Sequence, residues 1–290
     1  MRAFAWFLGM ILIGFAAIAV LTYPAWLLLH PYFGFPFHRL GERIGMLALL
    51  LVFLRFARRL GVGDRTSLGY GLQRRTFLRE TSLGLMLGVA TMSAAVGMMS
   101  TLGLLDWTAA GHLDALAVGK LLLRCFSSGI AVAFIEETFL RGAMLSAIDR
   151  QSGPTAAVLL TAAVYAASHF FASFHIPAQQ VSAWSGVALL GGTLHLFAHP
   201  LEIADAFLCL FAVGVVLGVI RITTGNIAAC IGLHAGWVWV ILVVHEMAHP
   251  VRTAEFGFLL SRFDGFVGWF ILAWTVPLGL GLRRFYARRI

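Results

Sequence analysis

Charge is scarce in this chain, and cysteine scarcer still. Charged residues fill 12% of its 290 positions, about half the share of an ordinary soluble domain. Such a sequence cannot cover itself with a water-facing surface. The three cysteines, Cys125, Cys209 and Cys230, stand singly in apolar stretches with no CxxC pair. That excludes a disulfide framework or a cysteine metal cluster and makes them core residues. Internal repeats, low-complexity tracts and polar linkers are also missing, so one domain is the economical reading.

What the chain does have is hydrocarbon: 60% hydrophobic residues and a mean hydropathy of +0.89. Phe4–Leu29, Thr81–Leu105, Pro154–Ser168 and Ala206–Ile220 carry no charge, and His234 is the one ionisable side chain in Asn226–Val244. Apolar runs of this kind read as spanning helices. The expected fold is all-α, a polytopic transmembrane helical bundle of about eight spans. They fall near 4–29, 43–57, 81–105, 117–148, 154–174, 203–221, 226–248 and 263–282. Residues 184–199 could form a short ninth element, but read as an outer loop or re-entrant stretch. Phe4–Leu29 is too long for the apolar region of a signal peptide, so it is expected as an uncleaved first span. Three parts are expected: N-terminal helices over 1–116, a catalytic core over 117–248, and a last helix with a basic tail over 249–290.

The net charge of +8 is concentrated: seven arginines lie between Arg55 and Arg79 against Asp64 alone, and Arg283, Arg284, Arg288 and Arg289 end the chain. No groove-reading motif accompanies them, so nucleic acid is not an expected partner. Basic short loops mark the cytoplasmic side. With Arg55–Arg79 inside, eight spans put both termini in the cytoplasm. Twenty arginines to one lysine, with abundant Ala and Gly, suggest a GC-rich bacterial genome. The expected location is a multi-pass protein of the bacterial inner membrane.

Against this background Glu136-Glu137-Thr138-Phe139-Leu140-Arg141 is an expense. Carboxylates in a membrane helix are functional-site hypotheses by default. Glu137 and Arg141 are i and i+4 in the favourable ion-pair order. Glu136 is rotated by about 100° and lacks that partner. A buried salt bridge alone would account for Glu137 and Arg141 but leave Glu136 unexplained. Gln151-Ser152-Gly153-Pro154 is a turn signal, and Glu136 and His169 are equidistant from Ser152–Gly153. An antiparallel hairpin therefore sets a carboxylate and an imidazole at one depth, where they can activate a water. His234 lies in a third helix among Gly225, Gly232 and Gly236, which would let neighbouring helices approach closely.

Taken in order, Glu136/Glu137/Arg141, Tyr165/His169 and Asn226/His234 resemble the motifs of the CPBP family. These are the CAAX prenyl endopeptidases and bacteriocin-processing or immunity proteins, also called Abi. The resemblance covers about residues 117–248. It implies an intramembrane endopeptidase in which Glu136 and His169 activate the attacking water and His234 stabilises the oxyanion. Glu137 and Arg141 fix the helix. Two positions depart from the pattern. Tyr165 stands where phenylalanine is usual, and Val238, four residues after His234, replaces an amide or acid that donates or accepts. Trp237 has an indole N–H but points elsewhere on the helix. The family is described both as metalloproteases and as metal-free glutamate proteases. The expectation is that no cofactor is required, with zinc on Glu136, His169 and His234 as the alternative. The partners are a membrane-embedded or membrane-proximal polypeptide and the lipid bilayer.

Three other readings compete. His245-Glu246-Met247-Ala248-His249 fits H-E-x-x-H, the zincin signature, with Asp264 as an imaginable third ligand. Pro250 follows at once, though, and the topology puts the motif at the outer surface beside His175, His195 and His199. A non-catalytic scaffold or immunity protein is favoured by Val238. A transporter would use Glu136/Glu137 as a proton relay, but it lacks the inverted repeat or paired broken helices expected of one.

Overall fold

In hydrocarbon, backbone N–H and C=O groups must be satisfied within the segment itself, so long apolar runs coil into helices. The structure, a computed structural model, describes residues 2–108, 111, 114–170 and 174–289. It is an all-α bundle. In chain order it contains α1 (Arg2–Phe33), α2 (Phe37–Phe56), α3 (Arg74–Thr101), α4 (Ala115–Glu137), a π-helical segment (Thr138–Met144) and α5 (Leu145–Ser168). Then follow α6 (Ser185–Ala198), α7 (Pro200–Thr224), α8 (Ala228–Met247) and α9 (Trp269–Ala287). Two short strands, β1 (Leu105–Asp106) and β2 (His249–Pro250), pair antiparallel at one end.

Among the described residues five helical stretches are long and apolar enough to cross a membrane, and 115–168 counts as one of them. That stretch is folded back on itself. In a straight helix residues 141 and 165 would be about 36 Å apart, yet the Arg141 guanidinium lies 4.7 Å from the centre of the Tyr165 ring. The bend is at Gly153, at φ 81 and ψ 166, a conformation that glycine adopts without steric cost. The hairpin expected around Ser152–Gly153 is thus present. Two more helices, α2 with 20 residues and α9 with 19, have spanning length but carry arginines. The expected span 154–174 reaches residues 171–173, which lie outside the described residues.

Two expectations need correction. The stretch 184–199 is not a loop: Ser185–Ala198 form α6, whose 14 residues make about 21 Å, too short for a hydrocarbon core of about 30 Å, so it is the short ninth element that the sequence also allowed. It packs on α1, and a Cβ at Gly186 would run into the Ala19 carbonyl. Gly225 does not serve close packing either. It has open space around it and φ +68, and its N–H closes α7 on the Arg221 carbonyl, a left-handed C-cap.

Gly232 and Gly236 do what the sequence suggests. They face Gly84 and Gly88 of α3, so two G-x-x-x-G faces cross with backbone against backbone. Such small-residue contacts drive association where lipid removes the hydrophobic incentive. α4 packs along the other side of α8, so α8 is gripped between two helices. One core cluster joins α3, α7, α8 and α9, and a second joins α1, α2, the π segment and α5, with α7 contributing to both.

The arginine-rich segments meet at one end. Arg150 donates to the Leu60 carbonyl (3.2 Å), Ile227 N–H to the Gly69 carbonyl (3.1 Å), and Arg289 pairs with Glu80 (3.0 Å). The loop over 57–73, the Gly153 turn, the α7–α8 turn and the C-terminal helix therefore share a face of the bundle.

Candidate active site

The last turn of α4 brings Glu136 and Glu137 to the face of α8, and the helix then changes its hydrogen bonding. At its end Leu145 N–H reaches the Leu140 carbonyl, five residues back. Such π bulges are frequent at functional sites. Arg141 lies within this segment and is fully buried, as is Glu137, with Nη1 2.9 Å from Glu137 Oε1. Its Nη2 donates to the Gly214 carbonyl of α7 (3.2 Å), and its carbonyl accepts from Arg221 Nε (3.2 Å). The expected ion pair is there, tied to α7 from both sides. At the start of the segment Tyr70, from the loop over 57–73, bonds Thr138 Oγ1. Burial pushes that phenol's pKa above its usual range.

His234, 2% exposed, lies between the two glutamates. Its Nδ1 is 2.9 Å from Glu137 Oε1, and its Nε2 is 3.9 Å from Glu136 Oε2. A carboxylate oxygen only accepts, so the Nδ1 proton points to Glu137. The two carboxylates, rotated apart on their own helix, thus approach opposite nitrogens of one imidazole. Glu136 is the accessible member, its side chain 31% exposed, and its Oε2 has no hydrogen-bond partner.

His169 ends α5. Its Nδ1 sits 2.8 Å from the Tyr165 carbonyl, which acts as acceptor, so the ring's Nε2 keeps its lone pair. Among the described residues His169 makes no direct hydrogen bond or ion pair to Glu136. It joins the cluster through Tyr165, whose ring meets the His169 ring at 4.6 Å and the His234 ring at 5.8 Å, both edge-on. The structure therefore gathers Glu136, Glu137, Arg141, His169 and His234 around one aromatic ring. Sequence reasoning noted Tyr165 as part of the second motif and as a departure from its usual phenylalanine, and missed its place at the centre. It also missed Arg221, although an arginine at the end of an apolar helix was a visible signal.

The H-E-x-x-H residues do not assemble. α8 stops at Met247, leaving His249 on β2. Glu246 is held by Arg124 at 2.6 Å, and His245 packs on the Phe266 ring. Asp264 caps the N–H groups of Phe266 and Val267. His195 lies against His199, and His38 against His175. Trp237 donates its indole N–H to Thr91 (3.1 Å), away from the cluster.

The Glu136–His234 gap is 3.9 Å, against about 3.4 Å for two tetrahedral ligands of one zinc. Among the described residues no three His, Cys, Asp or Glu come together as a ligand set.

This site lies in a segment with a family match. The family model described as Rce1-like, type II CAAX prenyl endopeptidase, matches residues 118–240, from the start of α4 to just beyond His234. No match was found among curated proteins or among solved structures. Residues 118–240 thus resemble the family that the three motifs suggested. The family is one of CAAX-type intramembrane proteases, and this chain is a multi-pass membrane protein.

Proposed function

We propose that the chain is an intramembrane endopeptidase that hydrolyses a peptide bond with a water activated by Glu136 and assisted by His169. The observation that carries this reading is the gap between Glu136 Oε2 and His234 Nε2. It spans 3.9 Å, which one water can bridge with two hydrogen bonds of about 2.8 Å.

To donate toward the substrate, His234 carries a proton at Nε2 as well, since Nδ1–H is already given to Glu137. Nε2–H then donates to the bridging water, and the water donates to Glu136. As a peptide carbonyl arrives, Glu136 takes the water's proton and the oxygen adds to the carbonyl carbon. His234 Nε2–H then donates to the oxyanion. Collapse breaks the C–N bond, and the proton held by Glu136, passed through His169, goes to the leaving amine. Peptide and water yield one carboxylic acid and one amine. No metal is needed for any step.

The substrate is a polypeptide embedded in or close to the membrane. The enzyme resides in the bacterial inner membrane, with both termini cytoplasmic. Glu136→Gln tests the proposal, since it keeps the shape and removes the base. Membrane proteomics of wild type and Glu136→Gln should show a new peptide terminus in wild type alone, with equal amounts of both proteins. Identical sets of termini would sink the protease reading.

A further inference from the structure

A cavity of about 300 Å³ opens at the end of the bundle where the arginine-rich segments meet. It lies between the loop over 57–73, the first turns of α5 and the end of α7. Arg150 and Arg221 both line it, with the hydroxyls of Thr66 and Ser146 beside them. Nothing in the cleavage mechanism uses it.

Arg221 is the unusual member. It is 8% exposed, and a guanidinium keeps its charge in a protein, so its burial calls for compensation. Among the described residues it forms no ion pair with a carboxylate. Its Nε donates to the Arg141 carbonyl (3.2 Å) and its Nη2 to Ser146 Oγ (3.1 Å), while Nη1 donates to nothing. Nη1 is not sealed inside the protein either; the side chain lines the cavity, and Nη1 opens into it. Other donors stand ready around it. Ser146 Oγ accepts from Arg221 and keeps its own proton, Thr66 Oγ1 has no partner, and Arg150 gives Nη2 to the Leu60 carbonyl and keeps Nη1. Asp149 is the one carboxylate in the lining, against two arginines. Asp64 lies within electrostatic reach of Arg150 but outside the lining, and it holds the Ser67 N–H (2.9 Å). The lining is left with one positive charge in excess and with donors that lack acceptors.

We propose that this cavity is a binding site for a phosphate group, held by Arg221 and Arg150 with Thr66 and Ser146 donating alongside. Guanidinium N–H groups meet phosphate oxygens in short, charge-assisted hydrogen bonds. Several oxygens on one phosphorus can use all four donors at once, whereas the two oxygens of a carboxylate cannot spread as far. Basic pockets between membrane helices hold lipid headgroups, and a free phosphate offers the same chemistry. Through Nε, Arg221 also holds the carbonyl of Arg141, so an occupant braces the π segment that sets Glu137. The site is independent of the protease reading, since binding alone tests it.

A ligand that binds the folded chain alone raises its unfolding temperature as its concentration grows. The unfolding temperature of the whole chain in non-ionic detergent is therefore followed against inorganic phosphate, the soluble lipid dihexanoyl phosphatidic acid, and acetate at matched ionic strength. Wild type should show a saturating rise with a phosphate probe that acetate does not give. Saturation with inorganic phosphate assigns a free phosphate, and saturation with the lipid alone assigns a headgroup. Arg221→Gln should abolish the rise. Arg150→Gln changes an exposed side chain and decides the question even where Arg221→Gln fails to accumulate. It should raise the half-saturating concentration about tenfold or more, the worth of one charge-assisted hydrogen bond. Arg75→Gln, at an exposed arginine of α3 outside the lining, should leave the curve unchanged. No saturating rise with either phosphate probe, or one that acetate reproduces, overturns the site. So does a wild-type curve in Arg150→Gln, or an equal loss in Arg75→Gln.

Discussion

Glu137 and Glu136 are neighbours in sequence with opposite duties. Glu137 Oε1 receives two charge-assisted hydrogen bonds, from Arg141 and from His234, each at 2.9 Å and fully out of solvent. Removing one partner of such a buried pair strands the other charge, typically a loss of about 3–5 kcal/mol. Glu137→Gln should therefore lower the unfolding temperature and the folded yield, read by detergent thermal melts and size-exclusion recovery. Glu136→Gln should leave both nearer wild type, because Glu136 is part-exposed and makes one long contact, 3.9 Å to His234 Nε2. Equal melting of the two variants would show that the pair does not hold the site together. The division between a paired and an unpaired carboxylate was legible from the i, i+4 spacing alone. The convergence of both on one imidazole was not, because spacing along one helix says nothing about the rotation of another. Tyr165 was hidden for a similar reason: an aromatic in an apolar helix looks the same whether it faces lipid or the centre of a polar cluster.

At the scale of elements, α8 is the part on which the site depends, and it is placed by absence of side chains. A Cβ at Gly232 would collide with the Thr81 carbonyl of α3, and one at Gly236 with the Leu85 carbonyl. Overpacking against backbone typically costs about 1–3 kcal/mol and pushes the helices apart. Since His234 lies between these glycines, Gly232→Ala should lower proteolytic rate more than it lowers the melting temperature. An unaffected rate would mean that α8 tolerates displacement. The last turn of α8 should behave in the opposite way. The triple alanine variant at 245, 246 and 249 removes one exposed ion pair, worth about 0–1 kcal/mol, and should retain full activity. A dead triple variant with an active His234→Ala would move the catalytic centre to the H-E-x-x-H residues. Element existence was readable throughout from apolar runs and the Gly153 turn. The residues of α6 were misjudged, because paired glycines and histidines in a short apolar stretch resemble a loop when nothing shows the α1 surface that they pack on.

Most of the arginines gather at one end of the molecule, although Arg39, Arg43, Arg124, Arg252 and Arg262 lie outside that group. The loop over 57–73, Arg150, Arg221 and the C-terminal Arg289 lie at the same end of the bundle and bond to one another's segments. Positively charged loops stay on the cytoplasmic side, so this end should face the cytoplasm. His234 lies six residues into α8, about 9 Å from its start, which sets the site nearer to that face. Single cysteines at Ser67 and at Ser182, in a background without Cys125, Cys209 and Cys230, should test the orientation. The cysteine at 182 should react with a membrane-impermeant maleimide from outside intact cells, and the one at 67 only after permeabilisation. The reverse pattern would invert the topology.

The π segment over 138–144 has a consequence for how the sequence can change. Its wider hydrogen-bond spacing accommodates a residue more than an α-helical path needs, so the segment bears the signature of a single-residue insertion into an older, regular helix. Natural variation by deletion should then be nearly forbidden here. Losing one residue, Ala143 for example, would let the helix run on regularly with the stretches before and after it still in register, because the wide turn had absorbed the extra residue. Glu136 and Glu137 would keep their place beside His234, while Arg141, inside the remodelled turn, would lose its place between Glu137 and the Gly214 carbonyl. A bundle could still form from such a chain, with its apolar faces largely intact. A deletion library scored separately for membrane accumulation and for cleavage should find 138–144 permissive for the first and intolerant for the second. Deletions in the loop over 57–73 or in the C-terminal tail should not split the two scores in that way.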